Sequence, residues 1–495
     1  MGVLFLVGIS LRLSFWYATD LTLEDALITF RYADNLADGR GFVYNEQEKV
    51  LGTTSPLWAL LLASMKIVGL PDVIPVSKVL GVVFDSATLL MLFILIRSAA
   101  NGCASFVTAT FFATSPNVIP MSIAGMETSL LLCCMTVAML GYEKKNLLFP
   151  LGLALTIMTR IDGVLFAVCF VGASFVSDRR WALRSSIFSA VLLLPWFAFS
   201  LLYFGNALPQ SLLAKMSVYR FDFAASSMPF IGTFTPFSEV DPVKLVLKAL
   251  LLVGMTAGSA VIMKKYAKLT PAVIFFLIYC LVFMSSRSMI FLWYLVPAIF
   301  VSYVLLGVGF DWGASLIRRK LVLPMLGRQA IMIVVGGISL FLLAGRVEKY
   351  KELQAFEDEL RKEIGLWLNK NVAMGSTVLM EPIGYIGYYA GPGLKIRDEI
   401  GIITPEIVEL RNSGEGWYTK ALKALRPDYV VQYQSSIDQN RSEGTNEKLF
   451  ADDDDSSWFS NRYKPMKIFR ASCSYPFIEE KEKAYVIFRQ NGVVQ

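Results

Sequence analysis

Two adjacent carboxylates, Glu24 and Asp25, open the segment LEDALITFRYADNLADGRGFVYN. They follow directly on an apolar run at residues 1–17. The chain has no histidine, so a general base must be a carboxylate, Lys, Tyr or Cys, and no His-based triad or His metal site can exist. Ile28, Tyr32 and Leu36 recur every four residues behind the pair, the spacing of an amphipathic helix lying on the membrane face. Acids in the first turn of a helix are also stabilised by its dipole, so the pair has a structural explanation beside the chemical one.

Hydrophobic residues make up 55% of 495 positions and charged residues 17%, against roughly 45–50% and about 25% in soluble domains. The excess lies in blocks through residue 345, so the chain divides near Gly345-Arg346 into a membrane module, 1–345, and a soluble tail, 346–495. A crossing helix needs roughly 17–25 apolar residues. The fold expected is an α-helical polytopic membrane protein with about eleven spans, near 1–17, 76–96, 103–119, 128–142, 147–159, 162–177, 185–204, 245–263, 269–284, 290–309 and 329–345. The first span is barely long enough and lacks the basic start and cleavage site of a signal peptide; the expectation is that the chain begins short of its true N-terminus.

Residues 56–70 are apolar but short, and charge decides their place. If they lie along the surface, one side gathers Arg97, Lys144-Lys145, Arg179-Arg180 with Arg184, Lys264-Lys265 with Lys268, and Arg318-Arg319-Lys320 with Arg328. These thirteen cations mark the cytoplasm, and 56–70 is read as interfacial. The same distribution explains the net charge of +6 without nucleic acid. Five of six cysteines lie in apolar helices and only Cys473 outside them, which is neither a disulfide framework nor a zinc spacing.

Three segments then face outward: loops at 18–55 and 205–244, and the tail. The tail opens on a charged helical stretch at 347–370 and continues with strand-like runs at 376–380, 394–398, 428–433 and 484–489, a small α/β domain. Asp452–Asp455 reads as a solvated loop without EF-hand spacing. Ionisable groups at membrane depth are functional candidates. Glu127 and the pair Arg160–Asp162 sit at outward helix ends, where structural pairing competes with function. Asp85 and Lys78, seven residues apart on one helix face, read as a packing pair. Arg12 in the first span has two readings, snorkelling outward or touching a lipid phosphate.

The acidic pair, the surface helix with RYA and then GTTSPLW resemble the GT-C superfamily of polyprenyl-phosphate-sugar-dependent glycosyltransferases. Within it the chain looks most like the actinobacterial terminal arabinofuranosyltransferase-like group, with its pattern DDAFI-FRYA-NL--G-G-V-N. Further matches are AGMETSL (124–130), TRIDG (159–163), YFGNALPQSLLAKM (203–216) and KIRDEIGI (395–402), so the likeness extends over nearly the whole chain. Glu24 replaces the usual first Asp, which leaves open which acid catalyses, and Ile161 stands where Pro is common.

The resemblance implies an inverting transfer of a sugar from a polyprenyl-phosphate donor to a hydroxyl of a glycan or glycolipid acceptor. This would occur on the outer face of a bacterial plasma membrane, in cell-envelope assembly. Such a reaction needs a carboxylate to take the acceptor proton; Glu24 and Asp25 fill that role. It needs cations or a metal for the leaving phosphate. Lys215, in the AKM match, is the first choice, followed by Arg220, Arg160 and Arg287. A divalent metal fits this role, though nothing in the sequence requires one. Arg31, Tyr32, Glu127, Asp162 and, in the tail, Asp398 are the substrate-binding candidates; for Asp398 a fold-stabilising cap is the equal alternative. A transporter or flippase of lipid-linked sugars would share the helices and the cationic pocket. Against it, the chain lacks paired broken helices or repeated halves and carries a large outer tail. A purely structural membrane protein would explain the hydropathy but not the acidic pair in its context.

Overall fold

The computed structural model describes residues 1–219, 222–318, 326–442, 447–471 and 483–493. Helices occupy all eleven expected apolar segments. Among the described residues six are long and apolar enough to cross a membrane: Gly2–Thr19, Val73–Ala99, Arg179–Phe204, Pro242–Lys265, Ala267–Ser285 and Leu292–Leu316. Three of them start at side-chain caps. Asp72, Asp178 and Asp241 each accept a backbone N–H of the first turn, satisfying donors that have no partner inside the helix.

The segment expected at 103–119 divides in two. Gly102–Ala113 ends and a short helix, Val118–Ile123, follows. Pro116 is the cause, since the residue before a proline is driven out of the α region. Pro56–Ile67, Gly102–Ala113 and Leu148–Thr159 have 12 residues each, about 18 Å at 1.5 Å per residue. Each is short of the roughly 30 Å hydrocarbon core.

The basic loops converge. Lys145 lies 3.3 Å from Asp178, and Lys268 lies 2.8 Å from Glu143. Helix Thr128–Lys144 separates this end from Glu127 by 17 residues, about 25 Å.

Two ion pairs differ from expectation. Asp85 bonds to Arg12, not Lys78: Arg12 Nε donates to Asp85 Oδ2 at 2.7 Å, and its Nη1 donates to the carbonyls of Gly8 and Ala113. Arg12 therefore neither snorkels nor reaches lipid; it is 1% exposed. Lys78 instead donates to Asp20 Oδ1 at 2.5 Å. A span two turns long separates Lys78 from Asp85 too widely, and each charge found a nearer counter-ion on another segment.

The last apolar helix, Leu326–Phe356, runs through Gly345 without a break, then through the π turn Glu357–Lys362 into Glu363–Asn371. The expected domain division therefore falls inside a helix. The tail sheet has five strands: β1 (Thr377–Met380), β2 (Lys395–Asp398), β3 (Tyr429–Tyr433), β4 (Tyr463–Arg470) and β5 (Ala484–Gln490), in the order β2-β1-β3-β5-β4. Strands β2, β1 and β3 are parallel, while β5 runs antiparallel to β3 and β4. The sequence hides β4 because it is an edge strand, largely exposed, with Pro465 beside a register shift. Asp452–Asp455 is not a loop. Asp452 caps the helix Asp453–Arg462, accepting from the Asp455 N–H at 2.9 Å, and the acids fill its first turn.

One face of the tail sheet has a core of its own, with Leu379, Trp417, Leu422, Val430, Phe459 and Phe488, and the other face is shared. Ile28, Tyr32, Phe42 and Tyr44 of the 18–55 loop, and Ala214 and Val218 of the 205–244 loop, are buried in one cluster with Ile364, Ile386, Ile402 and Tyr433 of the tail.

Candidate functional site

The surface helix Glu24–Ala37 starts immediately behind the first membrane helix. Neighbouring positions on a helix point about 100° apart, and the two acids diverge accordingly. Glu24 turns toward the tail, where its carboxylate accepts the backbone N–H of Gly384 and, at 2.9 Å, that of Tyr385. These are free donors at the start of the helix Tyr385–Tyr389. Burial pushes the Glu24 carboxyl up, while the Arg361 charge and the Tyr385 N–H pull it back.

Asp25 turns the other way. Lys215 Nζ donates to Asp25 Oδ2 at 2.9 Å, across 190 residues of chain. Lys215 comes from the short helix Gln210–Val218 in the 205–244 loop, and sits over the Phe291 ring at 5.0 Å. Burial opposes the ammonium most strongly, but the Asp25 charge, Tyr294 and the hydrogen bond to Asp25 together outweigh it, and the lysine is held above its ordinary value.

The pair opens into a cavity of about 330 Å³. Its polar lining includes Asp25, Lys215, Glu127, Arg160 and Asp162. Arg160, 4% exposed, forms a fork to Asp162 with two bonds of 3.0 Å and reaches Glu127 at 3.4 Å. Tyr279 donates to Asp162 at 2.8 Å, and Arg160 lies over the Tyr294 ring at 4.8 Å. Two carboxylates thus surround one guanidinium, whereas Lys215 has a single carboxylate partner, Asp25. The remaining wall is apolar and aromatic, with Trp293, Phe283 and Met289, and hydroxyls of Thr29, Thr53 and Ser211.

The structure brings Asp25, Lys215, Arg160, Glu127 and Asp162 together. The other expected residues lie elsewhere. Arg31 is buried and donates to the carbonyls of Tyr44, Gly387 and Leu394, joining the surface helix to the tail. The Tyr32 hydroxyl donates to Val50 O at 2.6 Å and accepts the Gly52 N–H at 2.8 Å, fixing the loop before the GTTSPLW segment. Asp398 is fully buried and accepts the N–H groups of Ile402 and Ile403. It shapes the turn that carries Ile402 into the cavity wall. Arg287 is exposed, in a left-handed backbone conformation (φ 52°), between Ser286 and Ser288 of the lining. Arg220 lies outside the described residues.

Ser211, Tyr279, Trp293 and Tyr294 escaped the sequence reading. Ser211 had a signal, four residues before Lys215 and so on its helix face; the aromatic run at 291–294 had one in its place at a helix start. Among the described residues no group of three or more Cys, Asp or Glu side chains is placed to hold a metal ion.

Residues 349–488 match a domain family of unknown function, DUF8728. No curated protein matches the chain by sequence. Solved structures do match by shape. ArnT from Cupriavidus metallidurans bound to undecaprenyl phosphate has a TM-score of 0.63 at 12% identity, over 99% of this chain and 98% of that one. The oligosaccharyltransferase of Archaeoglobus fulgidus, in complex with Zn and sulfate, has a TM-score of 0.59 at 13% identity, over 96% and 72%. The same enzyme, AglB, with an inhibitory peptide and a dolichol-phosphate reaches 0.51 at 12% identity, over 88% and 69%. The polytopic helical fold expected from the GT-C resemblance, with a small sheet domain at the C-terminus, is the fold this chain shares with ArnT and AglB.

Proposed function

We propose that this protein is an inverting glycosyltransferase that moves a sugar from a polyprenyl-phosphate donor to an acceptor hydroxyl on the extracytoplasmic face. The observation that carries the reading is the Asp25–Lys215 pair at 2.9 Å, opening on a cavity floored by Arg160, Glu127 and Asp162. The likeness to structures bound to undecaprenyl phosphate and to a dolichol-phosphate supports it. The arabinofuranosyltransferase-like motif order supports a cell-envelope glycan or glycolipid as acceptor. The eleven apolar helical segments, with the short ones seated among longer neighbours, support eleven spans and an outward tail.

In this reading Asp25 is the base. The acceptor oxygen forms a bond to the anomeric carbon as its proton passes to the Asp25 carboxylate. The bond from that carbon to the phosphate oxygen breaks, and the polyprenyl phosphate leaves with the electron pair. Attack opposite the leaving group inverts the centre. Charge grows on the phosphate, where Lys215 stands. In the empty site Asp25 is the counter-ion of Lys215; a bound phosphate takes over that role and leaves the carboxylate free to accept a proton. Glu24, tied to the tail backbone, positions the helix on which Asp25 stands.

The test is transfer from a panel of polyprenyl-phosphate sugars by purified protein, wild type beside Asp25→Asn. Turnover lost in the variant, with fold and donor binding intact, supports the reading. Sugar-lipid translocation without hydrolysis or transfer would instead establish the transporter reading.

A further inference from the structure

The short helix Gln210–Val218 starts without a side-chain cap, because the residue at its cap position is Pro209. The Gln210 N–H donates to Leu51 O at 2.8 Å and the Leu212 N–H to Pro209 O at 3.1 Å, so what the first turn turns toward a ligand is the positive end of its dipole. Ser211, in that turn, is 3% exposed and lines the cavity. Its hydroxyl is buried with no hydrogen-bond partner. Serines inside helices of this chain commonly return the hydroxyl to the carbonyl four residues back, as Ser174 does to Phe170 O and Ser285 to Leu281 O, both at 2.7 Å. Ser211 stands too near the helix start for this, since four residues back lies Ala207, outside the helix. A buried hydroxyl without a partner is costly, so the site is built for a partner that arrives with the ligand. Lys215, one turn on, shares its face and its cavity.

We propose that Ser211 is a phosphate-binding residue whose hydroxyl, together with Lys215, forms an anion subsite for the phosphate of a lipid-linked donor. This rests on the glycosyltransferase reading and adds to it a fixed hydrogen-bond donor. Lys215 supplies charge on a flexible stem. Ser211 supplies direction, because a buried hydroxyl on a short side chain reaches only one place. The positive end of the helix dipole adds to the attraction.

The experiment is equilibrium binding to full-length protein in nanodiscs, with undecaprenyl phosphate, undecaprenol and inorganic phosphate as probes. Wild type is expected to bind the lipid phosphate at least tenfold more tightly than the alcohol. Ser211→Ala is expected to weaken undecaprenyl phosphate about tenfold or more, the loss of one hydrogen bond to a charged group. It should leave undecaprenol unchanged, and Ser211→Thr, which keeps the hydroxyl, should restore most of the affinity. If alanine prevents folding, Ser211→Cys carries the same test, since its thiol is a weak donor. Wild type that binds lipid phosphate and alcohol equally would sink the donor reading itself. Wild type that discriminates them, with Ser211→Ala or Ser211→Cys doing so equally well, would overturn the Ser211 assignment alone. Inorganic phosphate competing fully, with no gain from the lipid, would overturn the lipid-linked source of the anion.

Discussion

Glu24 and Asp25 are adjacent in the chain and face different parts of the molecule. Glu24 accepts backbone N–H groups of the tail at Gly384 and Tyr385, whereas Asp25 pairs with Lys215 at the mouth of the cavity. One peptide bond therefore links the docking of the tail to the carboxylate proposed as base.

The two acids should respond differently to loss of charge. Asp25→Asn is expected to lower turnover by about 10²–10⁴, the usual contribution of a general base, with unchanged thermal stability. Glu24→Gln still accepts one N–H but faces the other with an amide donor, so its main effect should be a lower unfolding temperature. Rates and melting curves of both variants decide the matter. Near-normal turnover in Asp25→Asn, beside a stable but inactive Glu24→Gln, would exchange their roles.

Tail docking has little steric room at Gly384. A Cβ there would lie 2.1 Å from the Glu24 carbonyl oxygen and 2.5 Å from its Oε1. Gly384→Ala should loosen the tail from the surface helix and reduce transfer along with it. Hydrogen exchange over 383–390 should rise in the variant; unchanged protection with full activity would refute the coupling.

Glu399 makes the tail sensitive to pH. It is 4% exposed, accepts from Gln432 Nε2 at 2.8 Å, and burial pushes its carboxyl up from 4.5 to about 7. The folded state thus binds a proton that the unfolded chain releases. Its contribution is fully present below about pH 4.5 and is lost as pH rises through about 7. The shift corresponds to at most about 3 kcal/mol at 1.36 kcal/mol per pH unit. Glu399→Gln should therefore melt like wild type near pH 4.5 and several degrees higher at pH 8. Parallel pH–stability curves for the two proteins would rule this out.

The charge asymmetry of the loops predicts an orientation. In a cysteine-free background, an impermeant thiol reagent applied to intact cells should label Lys420→Cys in the tail and spare Lys265→Cys. The reverse pattern would invert the topology.

The sequence by itself determined the elements. Apolar length placed the helices, charge placed the basic loops, and alternation found four of five tail strands, because each of these signals is local. It found the acidic pair for the same reason, through the absence of histidine and a position just behind a span. What it could not determine was which groups meet. Lys78 and Asp85 share a helix face yet pair with Asp20 and Arg12, because an ion takes its nearest counter-charge in space. Arg31, Tyr32 and Asp398 belong to matched motifs and serve as braces, since each is buried among backbone groups that only folding brings near. Glu24 and Asp25 look interchangeable in the chain. Helix geometry sends one to the tail and the other to Lys215, and only the tertiary structure, by burying one face of the tail, the first loop and the Lys215 helix in one core, decides which of them faces the cavity.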